Sequence, residues 1–109
     1  SGPSGLVCAH DLALKGYSPV IFEKLPVPGG MLALGIPEYR LPQNILDMEI
    51  GYIQKMGVTI KTNMSLGRDF TLDDLKNQGY KAVFLATGAH KSMKMRIPGE
   101  EDYQGVYRQ

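Results

Sequence analysis

The run Gly2-Pro3-Ser4-Gly5 leads straight into a helical stretch, and a short apolar triplet, Val20-Ile21-Phe22, follows after a tight turn. That order constrains the fold more than any other feature of the chain. Leu6, Ala9, Ala13 and Gly16 recur at steps of three and four, which predicts a helix over 4–15 with a small, apolar face for close packing on a sheet. Gly16 is its expected stop. A fully apolar strand fits a parallel sheet covered on both faces. Helix, turn and strand together form the second half of a βαβ unit.

The alternation then repeats. A second helix is expected from Pro42 or Gln43 to about Met56, with Leu46, Ile50 and Ile53 as its apolar row. Ile45, Met48, Tyr52 and Met56 are expected to widen that row. Gly57 ends the helix, and Val58-Thr59-Ile60 reads as a strand. Thr71 is an expected N-cap for a short helix over 72–77, where Asp73 and Asp74 suit the positive end of the dipole. Gly79 closes it, and Lys81 to Ala86 reads as a third strand running into Thr87-Gly88-Ala89. The tail, with Ile97-Pro98-Gly99 and Gly105-Val106-Tyr107, reads as loop. Alternating helices and strands predict an α/β fold with a parallel sheet.

Two places along this pattern suit a nucleotide. Gly2 and Gly5 occupy the second and third glycines of a G-x-G-x-x-G fingerprint, whose first glycine would precede Ser1. There a pyrophosphate approaches the backbone and its charge is favoured by the helix N-terminus. Glu23 lies 18 residues past Gly5, near the roughly 20 expected of a ribose-binding acid. Such a carboxylate accepts from the ribose hydroxyls and repels a 2′-phosphate, which suits FAD or NAD over NADP; a flanking Glu that merely ends a strand is the plainer alternative. Ala86-Thr87-Gly88 stands at the end of an apolar strand, where such sheets bind ligands.

Between these lies a long loop, Pro28-Gly29-Gly30-Met31-Leu32 through Gly35-Ile36-Pro37-Glu38-Tyr39-Arg40-Leu41-Pro42. Paired glycines let backbone approach a ligand closely, and the X-Pro steps stiffen the exit. Long loops inside compact domains are functional or disordered, and these restraints favour function.

Composition narrows the function classes. A net charge of +1 over 109 residues, with acids and bases interspersed, gives no electrostatic case for nucleic acid or an anionic membrane. No apolar run reaches the roughly 18 residues of a membrane span. No signal peptide is visible, and the cytoplasm is the expected compartment. Cys8 is the only cysteine, which excludes an internal disulfide, a CxxC redox pair and a four-cysteine cluster within this chain. The start at Ser1, without Met and with a helix following at once, reads as a piece of a longer protein; a cloning scar is the alternative.

The runs GPSGL, FEK, PGGMLALGIPEYRLP, ILDMEIGYIQKMGV, VFLATGA and IPGEE together resemble the small subunit of NADPH-dependent glutamate synthase. They are also similar to the flavin module of dihydropyrimidine dehydrogenase and to the sulfide dehydrogenase and NADH-dependent ferredoxin:NADP oxidoreductase flavin subunits. The resemblance covers essentially the whole chain. GGMLxxGIPxYRLP is its specific part, whereas GPSGL and ATG occur in many two-dinucleotide flavoproteins.

The resemblance implies a Rossmann-like FAD/NAD(P)-binding fold lacking its first strand, residues 1–109 being part of an FAD-binding domain. An N-terminal iron–sulfur domain and a C-terminal NAD(P)-binding domain are expected outside this chain. Gly2, Pro3, Ser4 and Gly5 would line the FAD pyrophosphate, and Glu23 the adenosine ribose, with Lys24 beside it among the cofactor-binding residues. Gly30, Met31 and Leu32 would contact the flavin side, Arg40 would lie near the pyrophosphate or flavin, and Thr87 and Gly88 would close over the cofactor. The implied reaction passes electrons from NAD(P)H through FAD to [4Fe-4S] clusters, which this segment would not itself bind. A large catalytic or electron-accepting subunit is the expected partner. No residue is assigned acid–base, nucleophilic or metal-binding work. The alternatives are another electron-transfer flavoprotein subunit of the same kind, or a nucleotide-binding or docking module without redox chemistry. Cys8, His10, His90, Asp47, Glu49, Asp73 and Asp74 are expected to be structural or surface residues.

Overall fold

A computed structural model of the chain describes residues 1–91, 93, 94 and 96–99. Its elements run α1 (Pro3–Leu14), β1 (Val20–Phe22), α2 (Met31–Leu34), α3 (Gln43–Lys55), β2 (Thr59–Lys61) and α4 (Leu72–Asn77). The expected bounds of α1, β1, α3 and α4 agree to within a residue or two, and β2 sits one residue later than expected. The expected loop at Gly105-Val106-Tyr107 lies outside the described residues.

Pro3 opens α1 at its first helical position, where its missing N–H costs nothing and its fixed φ suits the helix. The helix packs its Leu6 and Ala9 side inward, against β1 and α3. Leu46 and Ile50 of α3 meet Leu6 to form the core, and Ile21, Leu32, Leu41, Ile53 and Ile60 pack around them. Beneath this layer β1 and β2 pair in parallel, with Val20 opposite Thr59 and Phe22 opposite Lys61. The two strand ends therefore point the same way, and Glu23 emerges at the carboxyl edge.

On the same strand Phe22 packs against Phe70 with the rings tilted at 42° and centroids 4.8 Å apart, and meets Tyr80 edge-on at 5.9 Å. These contacts fasten the chain on both sides of α4 to the sheet. The helix itself begins with a capping box: the Asp74 N–H donates to Thr71 Oγ1 at 3.2 Å, and the Thr71 N–H donates to Asp74 Oδ2 at 2.7 Å. The Thr71 hydroxyl and N–H hold the Asp74 carboxyl below the usual carboxylate range. Thr71→Ala removes the acceptor and is expected to cost about 1 kcal/mol, checked by the midpoint of urea unfolding.

Three expectations need correction. Residues 81–86 form no strand: Val83, Phe84 and Leu85 are 44%, 59% and 60% exposed. Strand geometry needs a neighbour to supply backbone partners, and among the described residues the sheet consists of β1 and β2 alone. Ile45, Met48, Tyr52 and Met56 do not widen the buried row of α3 but lie exposed beside it, because the core takes only the side that carries Leu46 and Ile50. The sheet is likewise not covered on both faces, since β1 is half-buried and Thr59 and Lys61 are exposed. The sequence also gave no warning of α2, one turn of helix inside the central loop. No helix among the described residues is long and apolar enough to cross a membrane.

Candidate functional site

Four separate stretches converge at the N-terminus of α1. Gly2 is its N-cap, and no side chain caps the helix there. The first carbonyl to accept across the turn is that of Gly2, from the Leu6 N–H at 3.0 Å. Pro3 has no N–H, so the N–H groups of Gly2, Ser4 and Gly5 are the ones left without an intrahelical partner. A Cβ added at Gly2 would meet nothing within 4 Å, whereas one at Gly5 would touch Ala86 Cβ at 3.6 Å. The helix end is thus open in front at Gly2 and closely packed behind at Gly5.

The second stretch is the end of β1. Glu23 is buried. Its Oε2 accepts from the Ser1 amine at 2.8 Å and the Ser1 hydroxyl at 2.7 Å, and its Oε1 accepts from the Leu25 N–H at 2.9 Å. Burial pushes this carboxyl up, but the Ser1 amine, the Ser1 hydroxyl and the Leu25 N–H together outweigh it and hold it down at about 2. Glu23 is therefore an ionised carboxylate at neutral pH, fixed in direction by three donors.

The third stretch is the glycine pair. The Leu32 N–H donates to the Gly29 carbonyl at 3.1 Å, and Gly30 has φ 56° and ψ −130°. These are the marks of a type II′ turn with glycine at its second position. The turn lies on the fingerprint: a Cβ at Gly30 would sit 2.9 Å from Gly2 Cα, and the Gly29 N–H donates at 3.1 Å to both the carbonyl and the hydroxyl of Ser1. Gly29 is hemmed in as well, by Ala33 and by Leu46 of the core. The fourth stretch is Ala86, against Gly5, from which Thr87 and Gly88 continue as exposed residues.

Of the residues singled out from sequence, Gly2, Pro3, Ser4, Gly5, Glu23 and Gly30 thus lie together, and Thr87 and Gly88 follow directly from the contact at Ala86. Met31 is exposed beside them, while Leu32 turns into the core cluster. Lys24 and Arg40 are exposed, and no hydrogen bond or ion pair among the described residues ties either side chain to the cluster. Sequence reasoning missed Ser1 and the Leu25 N–H. Ser1 was legible only as a small polar residue beside a fingerprint glycine.

A dinucleotide fits what is present: open space at Gly2, N–H groups without intrahelical partners at the start of α1, and a carboxylate at the end of the adjacent strand. This arrangement is that of a nucleotide-binding α/β domain, and residues 1–58 match the family of NAD(P)-binding Rossmann-like domains, to which the chain belongs.

More particular likenesses are to oxidoreductase subunits. The chain is 52% identical over 107 residues to the NADP(+)-dependent formate dehydrogenase subunit beta of Moorella thermoacetica, covering 98% of this chain and 15% of that protein. It is 48% identical over 111 residues to the NADPH-Fe(3+) oxidoreductase subunit beta of Geobacter sulfurreducens, covering 99% and 16%. It is 39% identical over 107 residues to the glutamate synthase [NADPH] small chain of Escherichia coli, covering 98% and 22%. The chain therefore spans less than a quarter of the length of each of these relatives.

Proposed function

We propose that this chain is the FAD-binding portion of an NAD(P)H-dependent oxidoreductase that delivers electrons to iron–sulfur clusters, of the kind represented by the glutamate synthase small chain. One observation carries the reading: the N-terminus of α1, the Glu23 carboxylate, the Gly29-Gly30 turn and the Ala86–Gly88 segment meet at one place. In this reading the Ser4 and Gly5 N–H groups take the pyrophosphate, Glu23 takes an adenosine ribose hydroxyl, and Gly30 and Met31 border the flavin. Thr87 and Gly88 close the other side, and Arg40 supplies a cation toward the pyrophosphate or flavin.

Bound FAD supplies the hydride and electron chemistry; the residues here bind, orient and shield it. An iron–sulfur domain, an NAD(P)-binding domain and a larger partner subunit complete the path in this proposal. The printed names of the relatives, subunits of NADP(H)-linked oxidoreductases, support it. The test is the visible spectrum of the purified full-length protein that carries this chain, before and after anaerobic NADPH. A flavin spectrum that bleaches is the expected result. A colourless protein that takes up no added FAD would overturn the reading and favour a docking module.

A further inference from the structure

Ser1 is where the fingerprint, the end of β1 and the glycine turn are joined. Its side chain is fully buried. The hydroxyl donates its one proton to Glu23 Oε2 at 2.7 Å and accepts the Gly29 N–H at 3.1 Å. A hydroxyl has one proton and two lone pairs, and the partners here leave no ambiguity: an amide can only donate and an ionised carboxylate can only accept. The order is thus fixed as Gly29 N–H to Ser1 Oγ–H to Glu23, and such a chain polarises each of its bonds.

Glu23 already accepts from three protein donors, while a carboxylate offers about four acceptor sites. One acceptor direction remains for a ligand, and Ser1 decides which. The same hydroxyl shares the Gly29 N–H with the Ser1 carbonyl, each at 3.1 Å, and Gly30 next to it rests on Gly2. One side chain therefore links the acid at one end of the site to the turn at the other, which the Ser1 carbonyl also holds.

We propose that Ser1 is a positioning residue for the dinucleotide, whose hydroxyl couples the Glu23 carboxylate to the Gly29-Gly30 turn so that both ends of the cofactor are held by one hydrogen-bond chain. This inference rests on the cofactor reading above. A side chain that merely fills space would show itself differently. Its loss would lower stability and leave the affinity of the folded protein for nucleotide unchanged.

The experiment measures FAD and ADP affinity of the full-length protein that carries this chain, as wild type, Ser1→Ala, Glu23→Gln and the double variant. Ser1→Ala is expected to weaken both ligands by about ten-fold, the scale of a lost hydrogen bond to a charged group. On the Glu23→Gln background the same change is expected to cost under about two-fold, because Ser1 acts through the carboxylate. Equal losses on both backgrounds, or unchanged affinity in Ser1→Ala, overturn the inference and leave the FAD reading intact. Wild type that binds neither ligand overturns both. Should Ser1→Ala not fold, Ser1→Cys takes its place: the thiol fills the volume but donates weakly, and it too is expected to lose about ten-fold. Affinity equal to wild type in Ser1→Cys overturns the inference.

Discussion

Gly30→Ala is expected to destabilise the domain by roughly 2 to 5 kcal/mol, combining a disallowed backbone with an overlap that cannot relax cheaply. At φ 56° and ψ −130° the turn holds a conformation that L side chains rarely adopt. The added methyl would also lie 2.9 Å from Gly2 Cα and 3.2 Å from Gly2 N. Both are backbone atoms, held by the start of α1, so neither can swing aside as a flexible side chain would. Against a total stability of about 5 to 15 kcal/mol, this is enough to shift the unfolding midpoint by many degrees. Gly2→Ala is the informative contrast. Gly2 has φ −71°, which any residue adopts, and a Cβ there meets nothing within 4 Å. Stability is expected to change by under about 0.5 kcal/mol, while FAD binding is lost because the methyl occupies the space before the helix end. Thermal unfolding and FAD titration of the two variants, side by side, check both halves. A Gly2→Ala protein that binds FAD like wild type would show that the open space is not the pyrophosphate site.

Much of this geometry was legible in the chain because it is local. The periodicity of Leu46, Ile50 and Ile53 and the Thr71 N-cap each act within a few residues, and each appears where expected. The paired glycines were readable as a place of close approach, but the partner expected from sequence was a ligand, whereas the structure sets Gly30 against the backbone of Gly2. The contacts that organise the site were less so. Ser1 reaches Glu23 across 22 positions and Gly29 across 28, and such separations leave no periodic trace. Residues 81–86 failed as a strand for the same reason. Their composition is that of a strand, but pairing depends on a neighbour that composition does not name. The outer row of α3 misled in the opposite direction: Ile45, Met48, Tyr52 and Met56 are apolar at helical spacing, yet spacing cannot say which side the core occupies. One turn of helix, Met31–Leu34, is too short to carry a period at all.

Acid is expected to destabilise this fold largely through Glu23. The carboxyl lies at about 2 in the folded chain against an ordinary 4.5. Folding therefore favours the ionised form, and the resulting stability is fully present above the unfolded value and lost as pH falls from about 4.5 toward 2. The gap between those two values corresponds to on the order of 3 kcal/mol. Protonation weakens the bonds from the Ser1 hydroxyl and the Leu25 N–H, which the buried carboxylate accepts. Glu23→Gln is expected to lose about 1 to 3 kcal/mol at pH 7, because the Ser1 hydroxyl and the Leu25 N–H then lose their charged acceptor. Its stability should also lose most of the wild-type fall over the same acid range. Urea unfolding of the two proteins across pH 2.5 to 7 separates this from general acid expansion. If the variant follows the same pH slope as wild type, other carboxylates govern acid unfolding. If wild type falls steeply and the variant is flat, Glu23 is the group that ties the start of the chain to the end of β1, and the nucleotide-facing loops depend on its charge for their position.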